Sequence, residues 1–353
     1  ESTRYLAVDE SRMLADPARY YKGGKPDLQL FDKKLYEVNP DDKVAIARAA
    51  AEEVLGKDER IISVDSSYSD GEGSSYRLIS NGFEGESKST WFSVSASVSI
   101  KGEGEARPQD YWYDSALFYD KLTKTGIGAK ALERVLRKLG QKKAKSGKYT
   151  MVVDPMNVGN LLSPMLSALY GSALQQKNSF LMDKLDTKVA SDLFTLRDEP
   201  HAIGANGSRY FDNEGVATEP RTVFDKGVLK TYFIDTYNGK KMDIAPTISA
   251  PSRLILTPGD KDLNGLVADI KQGILVTGFN GGNSNSSTGD FSYGIEGFLI
   301  EDGKLTQPVN EMNVTGNMVT LWNSLVAVGN DPQPNRSWQI PSLVFEGVDF
   351  SGL

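Results

Sequence analysis

The sequence predicts an α+β protein. Its central domain, residues 41–147, is expected to run helix, strands, helix. A larger and mainly antiparallel β C-terminal domain follows over residues 148–353, and residues 1–40 form a linker or wrapping segment. Three observations predict this. In FSVSASVSI, Phe92, Val94, Ala96, Val98 and Ile100 alternate with four serines, the period of a strand with one buried face. Two stretches of helical periodicity, PDDKVAIARAAAEEVL and GIGAKALERVLRKLG, flank that strand region. Beyond residue 148, turn signals recur at intervals of roughly 8 to 12 residues, the spacing of a sheet-dominated unit.

Residues 1–40 are polar and turn-rich, with DPARYYKGGKPD at their centre. The first helix starts at Pro40, with Asp41 or Asp42 as its cap and Val44, Ile46, Ala47, Ala50 and Val54 on its buried side. Asn81-Gly82 marks a hairpin turn in the strand region. The basic run RKLGQKKAKSGK, residues 137–148, reads as a solvated helix end and linker, its cations at the negative end of the helix dipole. YTMVVD is a strand that feeds the helix NLLSPMLSALYG. Asp154-Pro155 supplies that helix with a cap and a first-turn proline. FDKGVLKTYFID and FLIEDGKLTQPV are two hairpins, each turning at an Asp/Lys/Gly cluster.

The 353 residues carry a net charge of −7 and a pI of about 5.1. An acidic surface repels phosphate backbones, so direct nucleic-acid binding is not expected. The chain has no cysteine and one histidine, His201. Thiolate nucleophiles, disulfides and Cys-ligated metals are therefore excluded. A zinc site would have to combine His201 with carboxylates alone, a rare set for that ion, and an oxygen-only magnesium or calcium site stays open in principle, although no D-x-[DN]-x-[DN]-G loop supports one; no cofactor is expected. No run of 18 apolar residues is long enough to span a membrane. The stretch ESTRYLAVDESRM lacks the apolar centre of a signal peptide, and a cytoplasmic location is expected.

Four places invite a chemical reading. GIGAKAL has the glycines of a phosphate loop, but Ala131 stands where G-x-x-x-x-G-K-[ST] needs a hydroxyl; a tight start to a helix explains it better. His201 would have to serve any Ser-His-Asp triad, yet no G-x-S-x-G elbow exists; a local hydrogen bond is the simpler role, and neighbouring Asp198 and Glu199 read as solvated. GFNGGNSNSSTGDFSYG, residues 278–294, is the most polar loop in the chain. It is either a disordered hairpin tip or a lining for a substrate cavity, with Asn283, Asn285, Ser286, Thr288, Gly289 and Asp290 as candidates. The helix after YTMVVD has Ser163 and Ala168, five apart, as candidates for one face. Pro164 lies between them at a cost of about 3 kcal/mol unless it kinks the helix or lies near its first turn. Without further context this is a packed core helix.

From about residue 30 onward the chain resembles the TldD/TldE proteins, also called PmbA or modulator of DNA gyrase. KNSFLMDKL, RDEPHAIG, FDNEGVATEPRTVFDKGVLKTYFIDTYNGKKM, SRLILTPGD, SLVAVGND and above all STGDFSYGIEGFLIEDGK carry the resemblance. It implies that the family's N-terminal domain is missing from this chain. TldD-type members carry an H-E-x-x-x-H helix and a later Cys that hold a metal for peptide hydrolysis. Here the first His position is Ser163, the Glu position Pro164 and the second His position Ala168. The resemblance thus implies the TldE/PmbA branch: a subunit without catalytic or metal-ligating residues. Such a subunit pairs with a TldD-like metallopeptidase, or with itself, around an extended peptide substrate. Two other readings are a stand-alone peptide-binding or regulatory homodimer, and a non-metal hydrolase that uses His201.

Overall fold

A computed structural model describes residues 7–353, so the first six residues of the wrapping segment lie outside the described residues. Helix α1 (Pro40–Glu52) leads into strands β1 (Ile61–Ile79), β2 (Phe83–Ile100) and β3 (Gln109–Ala116), and helix α2 (Ile127–Leu136) follows. The three strands form one antiparallel sheet in the order β1-β2-β3. The alternation of FSVSASVSI is realised directly. Phe92, Val94, Ala96, Val98 and Ile100 are at most 1 % exposed, under α1 and α2.

Two details of α1 differ from expectation. Asn39, not Asp41 or Asp42, is the cap: its side chain accepts the Asp41 N–H, and Pro40 opens the first turn, where its missing N–H costs nothing. Val44 is 55 % exposed, while Ala50 and Val54 are buried. The helix is alanine-rich, so a narrow stripe of small residues suffices to seat it.

The remainder comprises β4 (Gly147–Val153), α3 (Gly159–Ser167), α4 (Gly171–Gln175), β5 (Leu196–Asp198), β6 (Arg221–Asp225), β7 (Val228–Leu229), α5 (Thr236–Met242), β8 (Leu254–Leu256), α6 (Leu263–Ala268), β9 (Gln272–Ser284), β10 (Asp290–Glu301), β11 (Lys304–Asn317), α7 (Met318–Asn323), β12 (Leu325–Val328), β13 (Trp338–Gln339) and β14 (Leu343–Ser351). Six strands form a sheet in the order β11-β10-β9-β4-β14-β12, and an extra β11–β14 pairing closes it on itself. Only β4–β9 is parallel in this sheet. Met151, Val152 and Val153 of β4 are fully buried, as a strand covered on both faces requires. The smaller sheet runs β13-β8-β5-β6-β7. Both anticipated hairpins turn where expected: Lys226-Gly227 and Asp302-Gly303 have positive φ at both central positions, the turn that matches the twist of paired strands.

Between residues 15 and 30 the wrapping segment is tied down at several points. Ala15, Tyr20 and Leu28 are buried. Arg19 O accepts from Ala217 N, and Leu30 O accepts from Thr90 N, so the segment touches both larger parts of the chain.

The basic run is not merely solvated. Lys138 is 9 % exposed. Its Nζ lies 3.2 Å from Asp110 Oδ2 and 2.7 Å from Glu296 Oε1, and it donates to Gln109 O at 3.0 Å. Arg134, one turn earlier, sits 3.2 Å from the same aspartate. The group joins α2 and β3 to β10 across the two parts of the molecule.

Candidate functional site

Helix α3 follows the fully buried end of β4, and the link between them is organised by Asp154. This carboxyl, 5 % exposed, accepts from the backbone N–H of Asn157 at 3.0 Å and from its side-chain amide at 2.6 Å. Burial pushes it up to about 6, against the opposing pull of these hydrogen bonds and of the Arg134 charge. Asp154 therefore caps a turn at residues 154–157, and the helix proper begins only at Gly159, later than the Asp-Pro pair suggests.

The α3 side chains divide sharply. Leu161, Leu162, Met165 and Leu166 are buried, with Leu161 O facing Trp322 Nε1 at 3.4 Å. Asn160, Ser163 and Ser167 are exposed, and Pro164 is half-buried inside the helix. Ala168 is 1 % exposed. The expectation that Ser163 and Ala168 share a face is overturned. Five residues at 3.6 per turn separate two side chains by about 140°, and Ala168 sits where the helix ends, its carbonyl accepting from Ser179 Oγ at 2.6 Å.

A zinc ion needs imidazole, thiolate or carboxylate donors. The three α3 positions provide an exposed hydroxyl, a proline ring and a buried methyl, which do not fit that ion. Among the described residues, no group of three or more His, Cys, Asp or Glu side chains is placed to hold a metal.

The polar loop is an ordered hairpin tip between β9 and β10. Asn285 Oδ1 accepts from Ser287 N at 2.9 Å and Thr288 N at 3.2 Å, a side chain imitating a backbone turn. Thr288 Oγ1 donates to Asp290 Oδ2 at 2.7 Å. Asn317 Nδ2 donates to Asp290 Oδ1 and to Thr288 O. These donors hold the Asp290 carboxyl below its ordinary range. Gly289 is buried with φ +81°, and a Cβ there would lie 3.1 Å from the Phe180 ring. Asn283 is exposed on β9, opposite Ser292.

Residues 178–181 join this tip to α3. Asn178 Oδ1 accepts from Ser286 Oγ at 2.7 Å and also from Ser287 Oγ; Phe180 N donates to Ser286 O. Ser179 holds the end of α3, and Met318 N at the head of α7 donates to Gly289 O. The structure thus brings the two candidate regions into one neighbourhood through residues that sequence reading did not single out: Asn178, Ser179, Phe180 and Asn317. Beside it lies an apolar cavity of about 580 Å³ whose lining includes Leu174, Met182, Leu185, Tyr232, Ile234 and Ile244.

The other candidates resolve as local structure. His201 Nε2 lies 3.1 Å from Thr218 Oγ1. That hydroxyl donates to Arg209 O, so the ring is the donor and holds its proton on Nε2. Burial, then the Lys25 charge, lower its pKa. Asp198 is buried rather than solvated, accepting from Ser252 N and Arg253 N, and Glu199 pairs instead with Arg197 at 2.7 Å. At the head of α2, the N–H groups of Gly126, Gly128 and Ala129 donate to the carboxylate of Glu53. A phosphate-like site is thereby occupied by the chain's own anion.

Comparison with known proteins places these features in the scaffold of a metallopeptidase family. Residues 33–139 match the PmbA/TldA metallopeptidase central domain, and residues 146–352 match its C-terminal domain. The chain belongs to the PmbA/TldD family. It is 29% identical to a "Metalloprotease PmbA homolog" of Haemophilus influenzae, over 99% of this chain and 78% of that protein. It is 28% identical to "Metalloprotease PmbA" of Escherichia coli O157:H7 over the same shares. A crystal structure from Bacteroides thetaiotaomicron, described as a modulator of DNA gyrase, superposes with a TM-score of 0.99 at 74% identity, covering 100% of this chain and 80% of that one. TldE of Thermococcus kodakarensis shares the fold at 22% identity, with a TM-score of 0.81 over 99% of this chain and 82% of its own.

Proposed function

We propose that this chain is a metal-free, TldE/PmbA-like subunit of a peptidase, working beside a TldD-like metallopeptidase on unfolded or extended peptides. One observation carries the reading. On the helix where the family's H-E-x-x-x-H falls, this chain presents Ser163 to solvent, sets Pro164 inside the helix and buries Ala168. Without a bound ion, no group on α3 acidifies water or polarises an amide carbonyl. The role left to α3 is that of a wall.

Its surroundings support peptide holding. The ordered tip at residues 285–289 offers small polar groups, and the apolar cavity beside residues 178–185 has room for a hydrophobic side chain. An extended chain held mainly through its backbone needs little side-chain selectivity. His201 gives no support to a stand-alone hydrolase, because its hydrogen bond goes to Thr218.

The test is reconstitution. An unstructured peptide is incubated with this chain alone, with a family subunit carrying H-E-x-x-x-H, and with both. The proposal expects no cleavage by this chain alone and a gain in cleavage on mixing that a chelator abolishes. Cleavage by this chain alone that survives the chelator would establish the hydrolase reading instead.

A further inference from the structure

The segments that lead into β8 and β13 run side by side, because the two strands pair in parallel with Leu254 opposite Trp338. Leu254 N donates to Ser337 O at 3.1 Å. With residues 206–209 and Ser115 of β3, these segments line a pocket of about 470 Å³, a size common among small-ligand sites. Two charged side chains line it, Arg209 and Arg336, and both are cations. The rest of the lining is serine, asparagine, glycine and proline, with no carboxylate.

Neither cation is paired with an acid. Arg209 donates from Nε to Ser252 Oγ at 2.8 Å, and from Nη2 to Ala250 O at 2.7 Å and Pro251 O at 3.2 Å. Arg336 donates from Nε to Gln333 Oε1 at 3.2 Å, and its guanidinium lies 4.9 Å from the centre of the Tyr113 ring. Among the described residues, Arg209 Nη1 and both terminal nitrogens of Arg336 have no hydrogen-bond partner, and neither guanidinium forms an ion pair. Buried Asp198 feels the Arg209 charge, but it does not line the pocket, and its carboxyl accepts instead from Ser252 N and Arg253 N. Burial disfavours the Arg336 charge, and the group that opposes this shift is the Tyr111 hydroxyl rather than a carboxylate.

The pocket is also preformed. Gln339 Nε2 donates to Arg336 O at 2.7 Å and to Gln333 O at 3.2 Å, which fixes the turn that carries Arg336. Asn206 Nδ2 donates to Asn335 O. Gly207 has φ +84°, and a Cβ there would lie 2.7 Å from Ser337 Cβ and 2.8 Å from Ser252 O, so only glycine lets these walls close. Guanidinium forks with unspent donors suit a carboxylate or a phosphate. A chain of net charge −7 repels the doubly charged phosphate more than a singly charged carboxylate. The serines and asparagines around the forks can pair with main-chain amides.

We infer that this pocket holds a carboxylate of an extended peptide, supplied by its C-terminus or by an Asp or Glu side chain. That the ligand is a peptide rests on the reading proposed above; the preference for a carboxylate does not.

Calorimetric titration of the full chain at low ionic strength tests it, with no catalytic partner present. The probes are an N-acetylated Ala/Ser peptide with a free C-terminal carboxylate, the same peptide as its C-terminal amide, that amide with one internal Glu, and inorganic phosphate. At least one carboxylate peptide is expected to bind roughly tenfold or more tightly than the plain amide, and which one does so identifies the source. Arg336→Gln is expected to weaken that binding roughly 10- to 100-fold at an unchanged denaturation midpoint. Arg336→Lys keeps the charge without the fork and recovers only part of the affinity. Should the Arg336 variants fail to fold, Ser115→Asp decides: a carboxylate built into the wall is expected to abolish peptide binding and raise the midpoint. Equal affinity for the carboxylate peptides and the plain amide overturns the inference, as does no binding of any peptide or binding of phosphate alone. So does carboxylate binding that neither Arg336→Gln nor Ser115→Asp alters. Carboxylate-dependent binding without a gain in cleavage on mixing would leave this site standing and sink the subunit reading; a gain in cleavage without carboxylate preference would do the reverse.

Discussion

Replacing Lys138 with methionine is expected to destabilise the protein by about 3–5 kcal/mol, the cost of breaking a buried ion pair from one side. The ammonium lies between Asp110 and Glu296, and all three side chains are largely buried. Methionine fills the volume but leaves two carboxylates facing each other, with only Arg134 remaining beside Asp110. Because the group spans α2, β3 and β10, the loss falls on the contact between the central and C-terminal parts. Adding Glu296→Gln is expected to recover much of it, since a neutral amide no longer needs the cation. Urea unfolding of the two variants measures both effects. A cost below about 1 kcal/mol for the single change would mean that water already reaches the cluster.

Trp322→Ala is expected to cost a similar 3–5 kcal/mol, through lost burial and an unfilled cavity. The indole is fully buried, with ring centroids 4.4 Å from Phe194 and 5.6 Å from Phe345. It also backs α3 through the Leu161 carbonyl, so the helix at the candidate site loses its support. The half-exposed Trp91 provides the contrast: alanine there is expected to change stability by no more than about 0.5 kcal/mol. Comparing the denaturation midpoints of the two variants checks the difference.

The parts of this fold that were legible in the sequence are those governed by local chemistry. FSVSASVSI specified a one-sided strand because period two admits no other burial pattern. Lys226-Gly227 and Asp302-Gly303 specified their turns because few residue pairs tolerate positive φ at both positions. What was hidden depends on partners distant in the chain. Nothing near residue 313 announces that it meets residue 351 to close the large sheet. The burial of Lys138 had a signal that composition obscured. It extends the buried stripe of Ala131 and Val135 by one more turn, but its basic neighbours made the whole run look solvated. At the site, angular arithmetic alone separates Ser163 from Ala168. The order of the polar tip was not readable, because its fixing partners, Asn178 and Asn317, lie 108 and 27 residues from the groups they bind.

The central claim is that α3 supplies no metal ligands. Its most direct test is the zinc content of the purified chain after saturation with zinc and gel filtration, measured by elemental analysis. The account predicts only substoichiometric zinc, unchanged when Ser163 is replaced by alanine. One zinc retained per chain and lost with Ser163→Ala would contradict it.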